Sequence, residues 1–173
     1  RQPIKWAEAA ARAGKRSRVF CASLADVFDA EVSVKWRLDL FRLISATPDL
    51  DWLLLTKRPK LMADFAKLQH WPHNAWAGTT VESQEMADAR IPYLMKVPAA
   101  VRFLSCEPLI APLDLYNGDP DPRLGGHEGT KTYIGDWWEP GDNPKGPSRH
   151  GVDWVICGGE SGGNAPLLPA SAE

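Results

Sequence analysis

The sequence predicts an α/β fold, a partial (β/α) TIM-type barrel in which parallel strands are each followed by a helix. Three observations carry this expectation. Apolar runs of four to six residues recur along the chain, the pattern of strands covered on both faces. The stretches between them set apolar residues at helical spacing. Each run then ends in small or polar residues, as strands do where they open onto a barrel mouth.

The elements follow in order. Arg18 to Ser23 reads as a strand leading into the polar loop Ser23-Leu24-Ala25-Asp26. Val34, Leu38, Phe41 and Ile44 lie on one face of a helix over 34–47, which Pro48 stops. Trp52 to Leu55 is a second strand, and Pro59 stands at the first position of the helix carrying Leu61, Met62, Phe65 and Leu68. Ala75 to Thr80 is a third strand. Ser83 then caps a helix through Met86, Ala89 and Tyr93, with Glu85 one residue too early for a capping box. Val101 to Ser105 and Val152 to Cys157 supply the fourth and fifth strands. Residues 116–151 break the rhythm with eight glycines, five prolines and the pair Trp137-Trp138, so they are expected to be a loop insertion. A closed barrel takes eight strands over about 250 residues. Residues 1–173 are therefore expected to form a single partial barrel domain, cut short at its beginning, where no initiator Met stands.

Composition bounds the function classes. With 44% apolar and 24% charged residues the chain can bury a core and keep a solvated exterior. No apolar run approaches the roughly 20 residues that span a bilayer. Twenty basic against twenty-two acidic side chains leave a net charge of −2, so no global field draws the chain to nucleic acid. Cys21, Cys106 and Cys157 are odd in number, far apart and each set in an apolar run, which argues against disulfides and zinc knuckles and for small buried side chains in a reducing cytoplasm. His127 and His150 lack partners at metal-ligand spacing, and no metal site is expected.

The candidate site is the set of strand ends. Ser23 and Asp26 follow the first strand, Thr56, Lys57 and Arg58 the second, Thr79, Thr80 and Glu82 the third, Ser105 and Glu107 the fourth, and Gly158-Gly159-Glu160-Ser161 the fifth. Lys57 and Arg58 beside an apolar strand call for an anion, a carboxylate, or solvent. Glu107, held extended before Pro108, is a candidate proton acceptor or ligand contact, with an ion pair to Lys57 as its structural alternative. The glycines at 158, 159, 162 and 163 let backbone approach a ligand, but no phosphate-loop or dinucleotide spacing is present.

Five segments in this order sharpen the pattern: Arg18-Val19-Phe20 through Ser23-Leu24-Ala25-Asp26-Val27-Phe28, Leu55-Thr56-Lys57-Arg58-Pro59, Trp76-Ala77-Gly78-Thr79-Thr80-Val81-Glu82, Arg102-Phe103-Leu104-Ser105-Cys106-Glu107-Pro108-Leu109, and Asp153 through Gly162. Together they resemble the bacteriophage gp-thirty-seven/gp-sixty-eight family of phage and bacterial proteins, which are similar to radical-SAM enzymes. The resemblance implies a barrel that holds S-adenosylmethionine at its strand ends and a [4Fe–4S] centre on a three-cysteine cluster. Such a cluster is missing here, and the resemblance places it ahead of Arg1. It further implies that Ser23, Asp26, Thr56, Lys57 and Glu82 face the cofactor, while Glu107 and Glu160 lie toward a small-molecule or nucleotide substrate and carry the catalysis. A nucleic-acid substrate stays open, with Trp71 and Trp137-Trp138 as stacking surfaces or as packing. Two other readings also stay open: a cofactor-independent barrel enzyme using Lys57, Glu107 and Glu160 as acid and base, and a non-catalytic phage-related binding module.

Overall fold

The computed structural model describes residues 2–21, 25–115 and 151–158. Their order is α1 (Gln2–Ala13), β1 (Ser17–Cys21), α2 (Val34–Ser45), β2 (Leu50–Thr56), α3 (Pro59–Leu68), β3 (Ala75–Thr80), α4 (Gln84–Leu94), β4 (Arg102–Cys106) and β5 (Trp154–Cys157). The five strands pair in sequence order, all parallel, so the sheet is half of a barrel wall with helices between successive strands from β1 to β4. Pairing of each strand with the one before it is what right-handed strand–helix–strand units produce.

Register sorts the side chains onto two faces. Trp52 stands beside Val19 and Ala75, while Leu53 stands beside Phe20 and Trp76. Leu50, Trp52, Leu54, Ala75, Ala77, Leu104 and Cys106 pack into the core under the helices. Ile44 and Phe41 of α2, Met62, Ala63 and Phe65 of α3, and Ala87, Ile91 and Leu94 of α4 meet them there. The concave face carries Phe20, Leu53, Leu55, Trp76, Gly78 and Phe103. A Cβ on Gly78 would fall inside the Phe103 ring, so glycine is what lets that ring lie flat against β3. Toward the strand starts this face is closed by a stack in which the Arg18 guanidinium sits 5.1 Å from the Trp76 ring and 5.5 Å from the Trp154 ring. The arginine of β1 thus reaches the tryptophan of β5, and the two indoles meet edge to face at 6.2 Å.

Local signals explain the boundaries. Ser33 and Ser83 cap α2 and α4 by accepting from the amides of Trp36 and Met86. Pro59 opens α3, where its missing N–H costs nothing. α2 ends at Ser45, two residues before the expected end, and the Thr47 hydroxyl donates to the carbonyls of Leu43 and Ile44. Asn74 follows suit from α3's far end: its buried amide donates to the carbonyls of Ile44, Thr47 and Leu50 at 2.9–3.0 Å, joining the end of α2 to the start of β2.

Several expectations are corrected. α1 was not anticipated; Ala7 and Ala10 are its buried residues. Trp71 is not a stacking surface: it is 6% exposed, packs against Phe28 and Phe41, and donates from Nε1 to the Ala75 carbonyl. Cys106 is buried and Cys21 half-buried, as small apolar residues should be, but Cys157 on the last described strand is exposed. Trp36, unlike the buried Trp52 and Trp71, is 71% exposed.

Candidate functional site

The strand ends do converge. After β1 the chain turns at Asp26, whose carboxylate accepts from the Phe28 amide at 2.9 Å, the Thr56 hydroxyl at 2.7 Å, the Lys57 amide at 3.2 Å and the Arg58 guanidinium at 3.0 Å. Thr56 is buried and its hydroxyl also accepts from the Arg58 amide. Arg58 forms a second ion pair with Asp29 at 2.7 Å. Arg37 of α2 fixes the same turn from behind, donating to the carbonyls of Val27 and Asp29 while lying over the Phe28 and Phe65 rings. Asp26, Thr56 and Arg58 thereby form an internal latch that ties the β1 loop to the end of β2.

That latch directs Lys57 to the other side. Its Nζ lies 2.7 Å from Oε1 of Glu82, and the Lys57 side chain remains 59% exposed. The opposite oxygen of Glu82 takes the Arg90 guanidinium at 2.7 Å, and Arg90 also donates to the Thr80 carbonyl at 2.7 Å. Partial burial alone would push the Glu82 carboxyl up, but the Lys57 hydrogen bond and the Arg90 charge outweigh it and hold the group below the usual carboxylate range. One carboxylate therefore serves two cations, and the more exposed cation is the one at the mouth.

Glu107 stands at the end of β4 before a cis bond to Pro108. The ion pair with Lys57 that stood as the structural alternative for Glu107 is not formed, since Lys57 pairs with Glu82. The Glu107 carboxyl lies over the Cα of Gly158, in space that a Cβ would occupy. Loops stitch these ends together: Leu109 donates to the Gly158 carbonyl at 2.9 Å, Ile110 to the Glu82 carbonyl at 3.2 Å, and Val81 to the Ser105 carbonyl at 2.9 Å. Register places Thr80 beside Ser105, and Ser105 beside Ile156, on the concave wall below the charges.

Asp26, Thr56, Lys57, Glu82 and Glu107 are thus brought to one end of the sheet, whereas Ser23, Glu160 and the Trp137-Trp138 pair lie outside the described residues. Sequence reading missed Arg90: it sits one helical turn or more from any strand, and only the distance from Glu82 of eight residues, the length of a strand-to-helix turn, hinted at the contact. Among the described residues no group of three or more side chains could hold a metal ion. The three cysteines do not fit an iron–sulfur cluster, since Cys106 is buried in the core and Cys21 lies on β1, three strands away along the sheet. A groove of about 540 Å³ lined by Leu38, Phe41, Arg42, Ser45 and His70 lies on the helical side and gathers no converging set of acids and bases.

No curated protein and no solved structure matches this chain. Residues 1–170 match a protein family described as a protein of unknown function, DUF5131, and over that length the chain belongs to this family.

Proposed function

We propose that the mouth is the ligand site of a radical-SAM-like barrel enzyme of phage-related origin, with S-adenosylmethionine as the ligand and a nucleotide or nucleic-acid group as substrate. The observation that carries this reading is the sharing of Glu82 between Lys57 and Arg90, which leaves the exposed Lys57 ammonium with only half of a carboxylate to itself and free to meet a second anion. S-adenosylmethionine presents a carboxylate for Lys57, and its ammonium and sulfonium suit an acidic neighbour such as Glu107. The concave wall below, with Leu55, Thr80 and Ser105, offers apolar surface and hydroxyls to a nucleoside. Asp26 and Thr56 contribute by fixing the Lys57 backbone rather than by spending their own hydrogen bonds on the ligand. The cluster that radical chemistry needs has no ligands among the described residues, so no step is assigned to it.

Titration calorimetry of S-adenosylmethionine into the protein tests the site directly. Binding is expected, and Lys57→Ala should weaken it about ten- to 150-fold, the loss of one charged hydrogen bond of roughly 1.5–3 kcal/mol. Absence of binding, or binding indifferent to Lys57, would reject the reading. Anaerobic reconstitution with iron and sulfide, followed by measurement of 5′-deoxyadenosine, tests the radical chemistry separately. A cofactor-independent acid–base enzyme is the second reading, favoured by Glu107 being left exposed once Lys57 pairs with Glu82.

A further inference from the structure

Two of the three cysteines are neighbours in space although 157 and 106 are far apart in sequence. Cys106 closes β4 and Cys157 closes β5, and the register of the parallel pair sets one directly beside the other. Residues paired in this way point to the same face of the sheet, and adjacent strands run about 4.8 Å apart. That spacing falls within the Cα separation of about 4.4–6.8 Å that a disulfide accepts. Cys157 is exposed where Cys106 is fully buried. Burial, together with the adjacent Cys157, pushes the Cys106 thiol up to about 12.

We propose that Cys106 and Cys157 form a peroxide-responsive dithiol whose oxidation to a disulfide bolts the ends of β4 and β5 together. The exposed Cys157 thiolate attacks a peroxide oxygen: an S–O bond forms, the O–O bond breaks, and the departing oxygen leaves as water. The Cys106 sulfur then attacks the sulfenic sulfur: the S–S bond forms, the S–O bond breaks, and the hydroxyl leaves as a second water. The sulfur pair loses two electrons and two protons, and hydrogen peroxide is reduced to two waters. Division of labour follows from exposure, since only Cys157 meets the oxidant and only Cys106 is placed to resolve it. The residues next along each strand are Glu107 and Gly158, so the redox state is set one residue below the carboxyl at the mouth. The dithiol stands on strand register alone and does not depend on what the mouth binds.

The test is to treat the reduced protein with hydrogen peroxide, count thiols after denaturation, and map peptides. Three free thiols should fall to one, with a single peptide pair joined through Cys106 and Cys157 and restored by dithiothreitol. Cys157→Ser, which changes an exposed side chain, should abolish the link and leave the protein otherwise folded by circular dichroism. Accumulation of sulfinic acid on Cys157 without a link, a link through Cys21, or a disulfide between two molecules would each overturn the proposal.

Discussion

Asn74 shows how one side chain can hold several segments. Its amide nitrogen is buried against three carbonyls that belong to the end of α2, the turn after it and the first residue of β2. Removing the amide strands those carbonyls away from water, so Asn74→Ala should lower unfolding free energy by about 2–3 kcal/mol, measured by urea titration. A loss below about 0.5 kcal/mol would show that water replaces the amide. The carboxylates give a pH prediction. Asp64, hydrogen-bonded to Lys60 and Lys67, is held down at about 2 from an ordinary 3.8, and Glu82 also lies below its ordinary 4.5. Groups with depressed values stabilise the fold above their unfolded values and lose that contribution as pH falls through the folded ones. Stability should therefore be level between about pH 5 and pH 8 and decline between about pH 4.5 and pH 2, in part screened by salt because Asp64 is exposed. Glu82→Gln should flatten the upper part of that decline, and an unchanged profile in the variant would assign it elsewhere.

At the scale of elements, much was legible because the strands and helices follow from local rules. Proline at 59 and serine at 83 mark helix starts without any knowledge of the sheet, and both helices begin where those residues stand. β3 was legible to the residue, Ala75 to Thr80 in both sequence and structure. The edges were less so. β1 begins one residue earlier than the apolar run, at Ser17, because its pairing partner Leu50 extends β2 beyond its own apolar stretch. β5 is shorter than the run from Val152, since Asp153 turns to accept from the Arg102 amide and Val152 packs into the core instead. α1 escaped notice although Ile4, Ala7 and Ala10 recur at helical spacing, because it precedes the first strand and belongs to no strand–helix pair.

The molecule as a whole joins these elements into half of a barrel wall, and none of the described helices is long and apolar enough to cross a membrane. The convergence of Asp26, Thr56, Lys57, Glu82 and Glu107 was legible, since parallel strands must end on one side. Their partners were not. Which cation Glu82 would take, and that Glu107 would miss Lys57, depend on where the Asp26 latch turns the backbone at 57, a matter of tertiary geometry rather than of pattern. The pairing of Cys106 with Cys157 was hidden for the same reason, because an intervening stretch of some fifty residues conceals a neighbour fixed by register. The close seating of the Glu107 carboxyl over Gly158 carries an evolutionary consequence. Any side chain at 158 would claim the volume that the carboxyl fills and turn that flexible, exposed acid elsewhere, so a change at 158 re-aims the carboxyl at 107. Within the family, lineages that keep an acid at 107 should keep glycine at 158, and those that lose the acid should be released to carry larger residues there.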